Sequence, residues 1–261
     1  MIGAIAGDII GSVHEGRCTK RKDFPLFARD AHFTDDTVLT VAIAAAILQD
    51  GNYLGCVRDF GRRYPRAGYG GTFVHWLLGD DPAPYNSWGN GSAMRVGPVG
   101  FAFDSEVAVL REAGASAAIT HDHPEGIKGA QATALAIFLA RNGASRETIR
   151  TRISTDFGYD LTRSVEEIRP GYAFDVSCQG SVPESIIAFL DADSWEDAVR
   201  NAVSLGGDAD TMACIAGAIA EAHFGLPEAI RDRALAMLPP DLRRVAEEFT
   251  AAFPPHCAAC G

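Results

Sequence analysis

Two short polar clusters each stand directly before an apolar run: "FTDDTVLTVAIAAAI", with Thr34, Asp35, Asp36 and Thr37, and "LGGDADTMACIAGAIA", with Asp208, Asp210 and Thr211. One aspartate at such a junction is an ordinary helix N-cap, whose side-chain oxygen takes a backbone N–H left free at the helix start. Two aspartates and a threonine exceed what a cap requires. Neighbouring residues inside a helix point about 100° apart, so these oxygens converge only at a loop-to-helix junction. Two junctions facing each other would bring four carboxylates and several hydroxyls to one spot, and neither cluster carries a Lys or Arg to offset them. An all-oxygen donor set selects hard cations such as magnesium, manganese or calcium, and four carboxylates overcharge a single Mg²⁺, so two ions are expected.

Other residues fit around that centre. Glu15, in "GDIIGSVHEGR", follows a first helix in which Gly3, Gly7 and Gly11 recur every four residues. That spacing leaves one helix face bare for another backbone. The stretch "YNSWGNGSAMRVGPVG" supplies Gly89, Asn90, Gly91 and Ser92, whose backbone N–H groups at a helix start suit an anionic phosphate. "ITHDHPEGIKGAQAT" gathers His121, Asp122, His123 and Glu125 ahead of a helix.

The elements that must position these residues read as helices. Segments 37–50, 105–119, 129–143, 182–192 and 194–205 carry the signals, and two more follow Pro227 and Pro240. Pro183, Pro227 and Pro240 suit first-turn positions, Ser194 and Asp197 are spaced as a capping box, and Gly143, Gly206 and Gly225 suit helix ends. Sustained period-two alternation is missing, so the fold is expected to be all-α. Runs 38–48 and 212–222 are apolar almost all round and belong at the centre. No low-complexity linker divides the chain, which reads as one domain over 1–255 with a short tail at 256–261.

Composition narrows the class. The 261 residues are 47% hydrophobic and 22% charged, as in a soluble globular protein with a sizeable core. A net charge of −11 argues against a nucleic-acid partner. No run reaches the ~18 to 20 apolar residues of a membrane span and the start lacks a basic signal region, so a cytoplasmic protein is expected. Six scattered cysteines do not form a disulfide framework, and the one CxxC, Cys257 and Cys260, lacks the second pair that a structural zinc site needs.

"GDIIGSVHE", "FTDDT", "WGNGSAMRVGPVG", "THDHPEGIKGA", "CQGSVPESIIAFL" and "AVSLGGDADTMACIAGAIA" resemble, in order, the motifs of the ADP-ribosylglycohydrolase family, typified by the dinitrogenase reductase activating glycohydrolase. The resemblance runs from about residue 3 to 228. It implies a compact all-α fold with two divalent metals, usually magnesium with manganese as an alternative, at the foot of an ADP-ribose cleft. By position, Thr34, Asp35 and Asp36 match one set of metal ligands, and Asp208, Asp210 and Thr211 the other. Glu15 matches the glutamate beside the metals and is, with Asp35, the expected catalytic residue. Asn90, Gly91 and Ser92 match the loop that meets the diphosphate and ribose, and His121 a histidine on the ribose. Tyr172, or Phe174, is the candidate for stacking on adenine. The implied reaction is hydrolysis at C1 of the distal ribose of an ADP-ribosylated protein or small molecule, by a monomer. Rival classes are an inactive ADP-ribose- or partner-binding module and a metal-dependent phosphoesterase.

Overall fold

The computed structural model describes residues 1–49, 51–80 and 82–254. Its elements are α1 (Ile2–Gly11), α2 (Asp35–Gln49), α3 (Tyr53–Arg63), α4 (Gly71–Leu78), the short α5 (Gly91–Met94) and α6 (Gly97–Ala102), α7 (Glu106–Ala118), α8 (Pro124–Arg141), α9 (Arg146–Phe157), the single-turn α10 (Val165–Ile168), α11 (Cys178–Leu190), α12 (Trp195–Ser204), α13 (Ala209–Phe224), α14 (Glu228–Ala236) and α15 (Pro240–Ala252). No strand occurs among the described residues. Extended backbone pairs once, in an isolated antiparallel bridge between Gly89 and Ser177. The fold is all-α, as the missing alternation predicts, and no helix among the described residues is long and apolar enough to cross a membrane.

The centre is α13, buried from Ala209 to Ala222, with α1 laid along it. Glycine makes that approach possible. A Cβ on Gly3 would stand 2.5 Å from the carbonyl oxygen of Gly217, and one on Gly11 would stand 2.5 Å from that of Ala209. At Gly7 the carbonyl of Ala213 leaves no room for any added atom. The two backbones touch, so the spacing between side chains on α1 and the start of α13 is set by main chain rather than by adjustable side-chain packing. The apolar α2 lies on the same core, with α8, α11 and α12 around α13.

Several helix starts differ from the sequence reading, each for a local reason. α8 begins five residues earlier than expected, at Pro124, because His123 caps it by accepting from the Glu125 N–H at 3.1 Å. α11 begins at Cys178, where Ser177 Oγ accepts from the Gly180 N–H at 3.0 Å, so Pro183 lies inside the helix and forgoes one intrahelical bond. Pro227 caps α14 from outside, whereas Pro240 occupies the first turn of α15 as expected. Ser194 caps α12, but the carboxylate of Asp197 accepts from the N–H of Asp193 instead of returning to Ser194. The complete capping box is Ser164 with Glu167. Gly143, Gly206 and Gly225 do end helices, with φ of 79°, 70° and 76°. Cys257 and Cys260 lie outside the described residues, as does the 256–261 tail.

Candidate functional site

The two acidic junctions meet. Thr211 Oγ1, in the first turn of α13, donates to Asp36 Oδ2, in the first turn of α2, at 3.3 Å. Carboxylate oxygens of Asp8, Asp36 and Asp210 lie within 4.8 Å of one another, and so do those of Glu15, Asp208 and Asp210. Asp210 belongs to both groups and joins them. Asp208 occupies the N-cap position of α13 yet makes no capping hydrogen bond; its Oδ2 instead accepts from Asn90 Nδ2 at 2.8 Å. Capping alone therefore does not account for the acid there. Thr34 does cap α2, with its hydroxyl accepting from the Asp36 N–H at 3.3 Å. Asp35 stands outside both groups, partly exposed on the cleft wall, where a Cβ on Gly68 would approach its Oδ1 to 3.3 Å.

Asp8 is a member that the sequence reading missed. It is fully buried on α1, one residue after the closest contact with α13. Its Oδ1 accepts from Thr34 Oγ1 at 2.7 Å. Its Oδ2 accepts from the Thr34 N–H at 3.0 Å, the Thr37 N–H at 3.1 Å and the Thr37 hydroxyl. Four donors thus fix the turn that presents Asp35 and Asp36. Because Thr34 gives its only hydroxyl proton to Asp8 and accepts the Asp36 N–H with one lone pair, its second lone pair is left for another partner.

The electrostatics are one-sided. Burial, then the charges of Asp8 and Asp210, push Asp35 up to about 8, and burial followed by Asp210 raises Asp8 to about 7. Burial and neighbouring carboxylates hold Asp36 and Asp208 well above the usual range, and Asp36 Oδ1 is buried with no hydrogen-bond partner. Burial and the neighbouring carboxylates outweigh the hydrogen bonds that Asn90, Thr34 and Thr37 give these acids, and no Lys or Arg partner offsets them among the described residues. Packed carboxylates without counter-charge stay protonated or take up cations. Oxygen-only donors, a shared Asp210 and an unpartnered Asp36 oxygen fit hard divalent ions.

Glu15 sits on an exposed turn after α1, held by His14 N–H to Gly11 O at 2.7 Å and Arg17 N–H to His14 O at 3.0 Å. Burial first, and then Asp210, raises its carboxyl above the ordinary value. Lys20 pins the same loop: its Nζ donates to the carbonyls of Tyr172, at 2.6 Å, and Leu205.

Above the acids opens a cleft of about 650 Å³, within the usual size of a small-molecule site. Glu15, Thr34, Asp36, Asp208, Asp210 and Thr211 line its floor, with Asp35 on the wall beside them. Asn90 and Gly91 line one wall with His121, which is buried beside Gly91; Asn90 is fastened by its backbone N–H to Val176 O at 2.8 Å. Ser92 is turned inward, its hydroxyl donating to Gly126 O at 2.7 Å, and it does not line the cleft. Tyr172 also lies off the lining: its hydroxyl donates to Gly180 O at 2.6 Å and its ring packs on Gly207. Phe174 is exposed and outside the lining as well. The aromatic residues that do face the cleft are Phe73, Tyr85 and Trp88, the last 50% exposed. The opposite wall, from Arg66 to Phe73 in "RAGYGGTF", escaped the sequence reading; its glycines signal a turn but nothing in them ties that turn to residues far along the chain.

This helical frame, with the acids at the foot of one cleft, is a known architecture. The family profile described as ADP-ribosylglycohydrolase matches residues 1–259, and the chain belongs to that family. Among curated proteins it is similar to ADP-ribosylhydrolase ARH3 of Danio rerio, 28% identical over 87% of this chain and 82% of that one. It is also similar to ARH3 of Homo sapiens, at 26% over 87% and 85%, and to ADP-ribosylarginine hydrolase Tri1 of Pseudomonas putida (strain GB-1), at 24% over 87% and 70%. A solved structure described as an ADP-ribosylglycohydrolase-related protein complex superposes with a TM-score of 0.72 at 25% identity, covering 96% of this chain and 95% of that chain.

Proposed function

We propose that this protein is a metal-dependent ADP-ribosyl hydrolase that releases ADP-ribose by cleaving the bond between C1 of the distal ribose and the nitrogen or oxygen of a modified side chain or small acceptor. The observation that carries the reading is the pair of acid groups joined through Asp210 on the floor of the cleft. Thr34, Asp35 and Asp36 on one side and Asp208, Asp210 and Thr211 on the other would hold two magnesium or manganese ions. When bound, such ions lower the pKa of water and grip ribose hydroxyls.

The chain's own residues supply the rest. Glu15, on its turn beside Asp208 and Asp210, accepts a proton from the attacking water at its carboxylate. Asp35, on the open wall, sets negative charge beside the oxocarbenium-like carbon that ribosyl cleavage creates. Asn90 holds Asp208 at a fixed angle. Gly91 leaves room against His121, and the first turn of α4, with Gly70, Gly71 and Thr72 on the lining, offers backbone N–H groups to a diphosphate. Trp88 gives adenine a face to stack on, the part the sequence reading assigned to Tyr172.

The test is a panel of arginine-, serine- or threonine-linked and O-acetyl ADP-ribose substrates incubated with Mg²⁺ and followed for intact ADP-ribose. Asp210→Ala should lose metal binding and turnover together. Release of AMP in place of ADP-ribose would make the protein a phosphoesterase, and ADP-ribose binding without turnover of any substrate would make it a binding module.

A further inference from the structure

Arg95 lies in the middle of the loop-and-helix stretch that carries Asn90 and Gly91, yet it is fully buried and takes no part in the cleft lining. Its Nη2 donates to Ser116 O at 3.0 Å, a carbonyl in the last turn of α7, and at 3.5 Å to Ala117 O, which also accepts the N–H groups of Thr120 and His121. A cation in that place satisfies the helix end and is held there. The same Nη2 donates to Thr120 Oγ1 at 2.8 Å, and Thr120 Oγ1 stands 2.7 Å from His121 Nδ1.

Direction follows from chemistry. A guanidinium only donates, so Thr120 Oγ1 must accept from Arg95. The threonine keeps one hydroxyl proton, and among the described residues its only other side-chain partner is His121 Nδ1. A proton already on Nδ1 would leave that hydroxyl hydrogen buried without an acceptor, so Nδ1 must accept and the ring proton must sit on Nε2. Nε2 has no protein acceptor among the described residues. It lies at the cleft wall, where a Cβ on Gly91 would come within 3.1 Å and one on Gly89 within 3.7 Å.

We propose that Arg95 and Thr120 are positioning residues that lock His121 as the neutral imidazole protonated at Nε2, making it a hydrogen-bond donor to an oxygen of the ligand and not a base. Burial, and after it the nearby Arg95, hold the ring's basicity well below the usual histidine value, in the same sense. Only the identity of the ligand, ADP-ribose, rests on the proposed function.

The tautomer is read directly from long-range ¹H–¹⁵N imidazole spectra of the labelled full chain with saturating Mg²⁺, with His121 assigned by its loss in His121→Gln. The wild type should be protonated at Nε2 alone. Thr120→Val should give a mixture of tautomers and weaken ADP-ribose binding about tenfold in calorimetry, whereas Thr120→Ser should keep both properties of the wild type. Should Thr120→Val fail to fold, the wild-type and Thr120→Ser spectra decide. A wild-type ring protonated at Nδ1 or at both nitrogens overturns the proposal, as does a Thr120→Val spectrum unchanged from the wild type. If the wild type shows the Nε2–H ring but binds no ADP-ribose, the functional reading falls and the tautomer assignment stands.

Discussion

Asn90 Nδ2 donates to Asp208 Oδ2 at 2.8 Å and to Ser181 Oγ at 3.2 Å, so a loop on the cleft wall grips the acid that opens α13 and is itself gripped by α11. The bond turns Asp208 away from the N–H groups of its own helix. Groups that orient metal-binding carboxylates typically govern affinity by about 10- to 100-fold. Asn90→Ala is expected to weaken Mg²⁺ binding by that factor while leaving the helical circular-dichroism signal intact. Unchanged affinity in titration calorimetry would show that Asp208 needs no such support.

The metal-free protein should lose stability as pH rises. Asp8 is raised to about 7 and Asp35 to about 8, against about 3.9 for an unfolded aspartate. Between those values the folded chain binds more protons than the unfolded one, so its stability falls with pH. The contribution is complete below about pH 4 and lost as pH passes the raised values. The metal-free Tm should therefore drop between pH 5 and 8.5, divalent ions should raise Tm more at pH 8 than at pH 6, and ion binding should release protons. Calorimetry in two buffers of different ionisation enthalpy measures the release; binding heats that do not depend on the buffer would contradict the raised values.

Glu15 should separate from the acids around it. Glu15→Gln keeps the shape and removes the proton acceptor, so ADP-ribose affinity should stay within a few-fold while kcat falls by roughly 10² to 10⁴. Single-turnover kinetics beside binding titrations would distinguish this from loss of metal. A variant with wild-type kcat would remove Glu15 from the mechanism.

How far the sequence reached is clearest at these positions. Thr34 to Thr37 and Asp208 to Thr211 stood out because polar oxygens crowd the junction of a loop with an apolar helix, a pattern visible within a few residues. Asp8 has no such local crowd; its sign was a lone charge inside "GAIAGDIIG", and its partners lie 26 and 29 positions away. Arg95 carries no local sign of its role either, because the end of α7 that holds it lies 21 positions further along the chain. Tyr172 offers an aromatic ring, but Gly180 and Gly207 hold it off the cleft, and which rings face a cleft is set by packing that no periodicity encodes.

The glycine seam between α1 and α13 gives a stability test. Gly7→Ala inserts a methyl group against the Ala213 carbonyl, and overpacking of this kind costs about 1–3 kcal/mol, or roughly 2–10 °C in Tm for a chain of this size. Metal affinity should fall with it, because Asp8 rides on the displaced turn. Gly171→Ala, where an added Cβ meets nothing within 4 Å, should change Tm little. Equal melting of the two variants would mean that α1 shifts freely.

Gly91 tests the wall of the cleft. A side chain there comes within 3.1 Å of His121 Nε2, so Gly91→Val should weaken ADP-ribose binding at least tenfold at both 50 mM and 500 mM NaCl, a loss by obstruction that salt does not mend. Wild-type affinity in this variant would move the ligand away from Asn90 and Gly91.

The contact between Thr211 and Asp36 spans 175 positions of sequence. At ribosomal speeds of about 5–20 residues per second, Asp8, Glu15 and Asp36 wait roughly 9 to 40 seconds before Asp208 and Asp210 are even synthesised. During that interval the growing chain carries half a nest of acids and no means of closing it. Ions that require both halves can therefore bind only after α13 has left the tunnel and settled against α1, which makes their retention a count of chains completed and correctly threaded together.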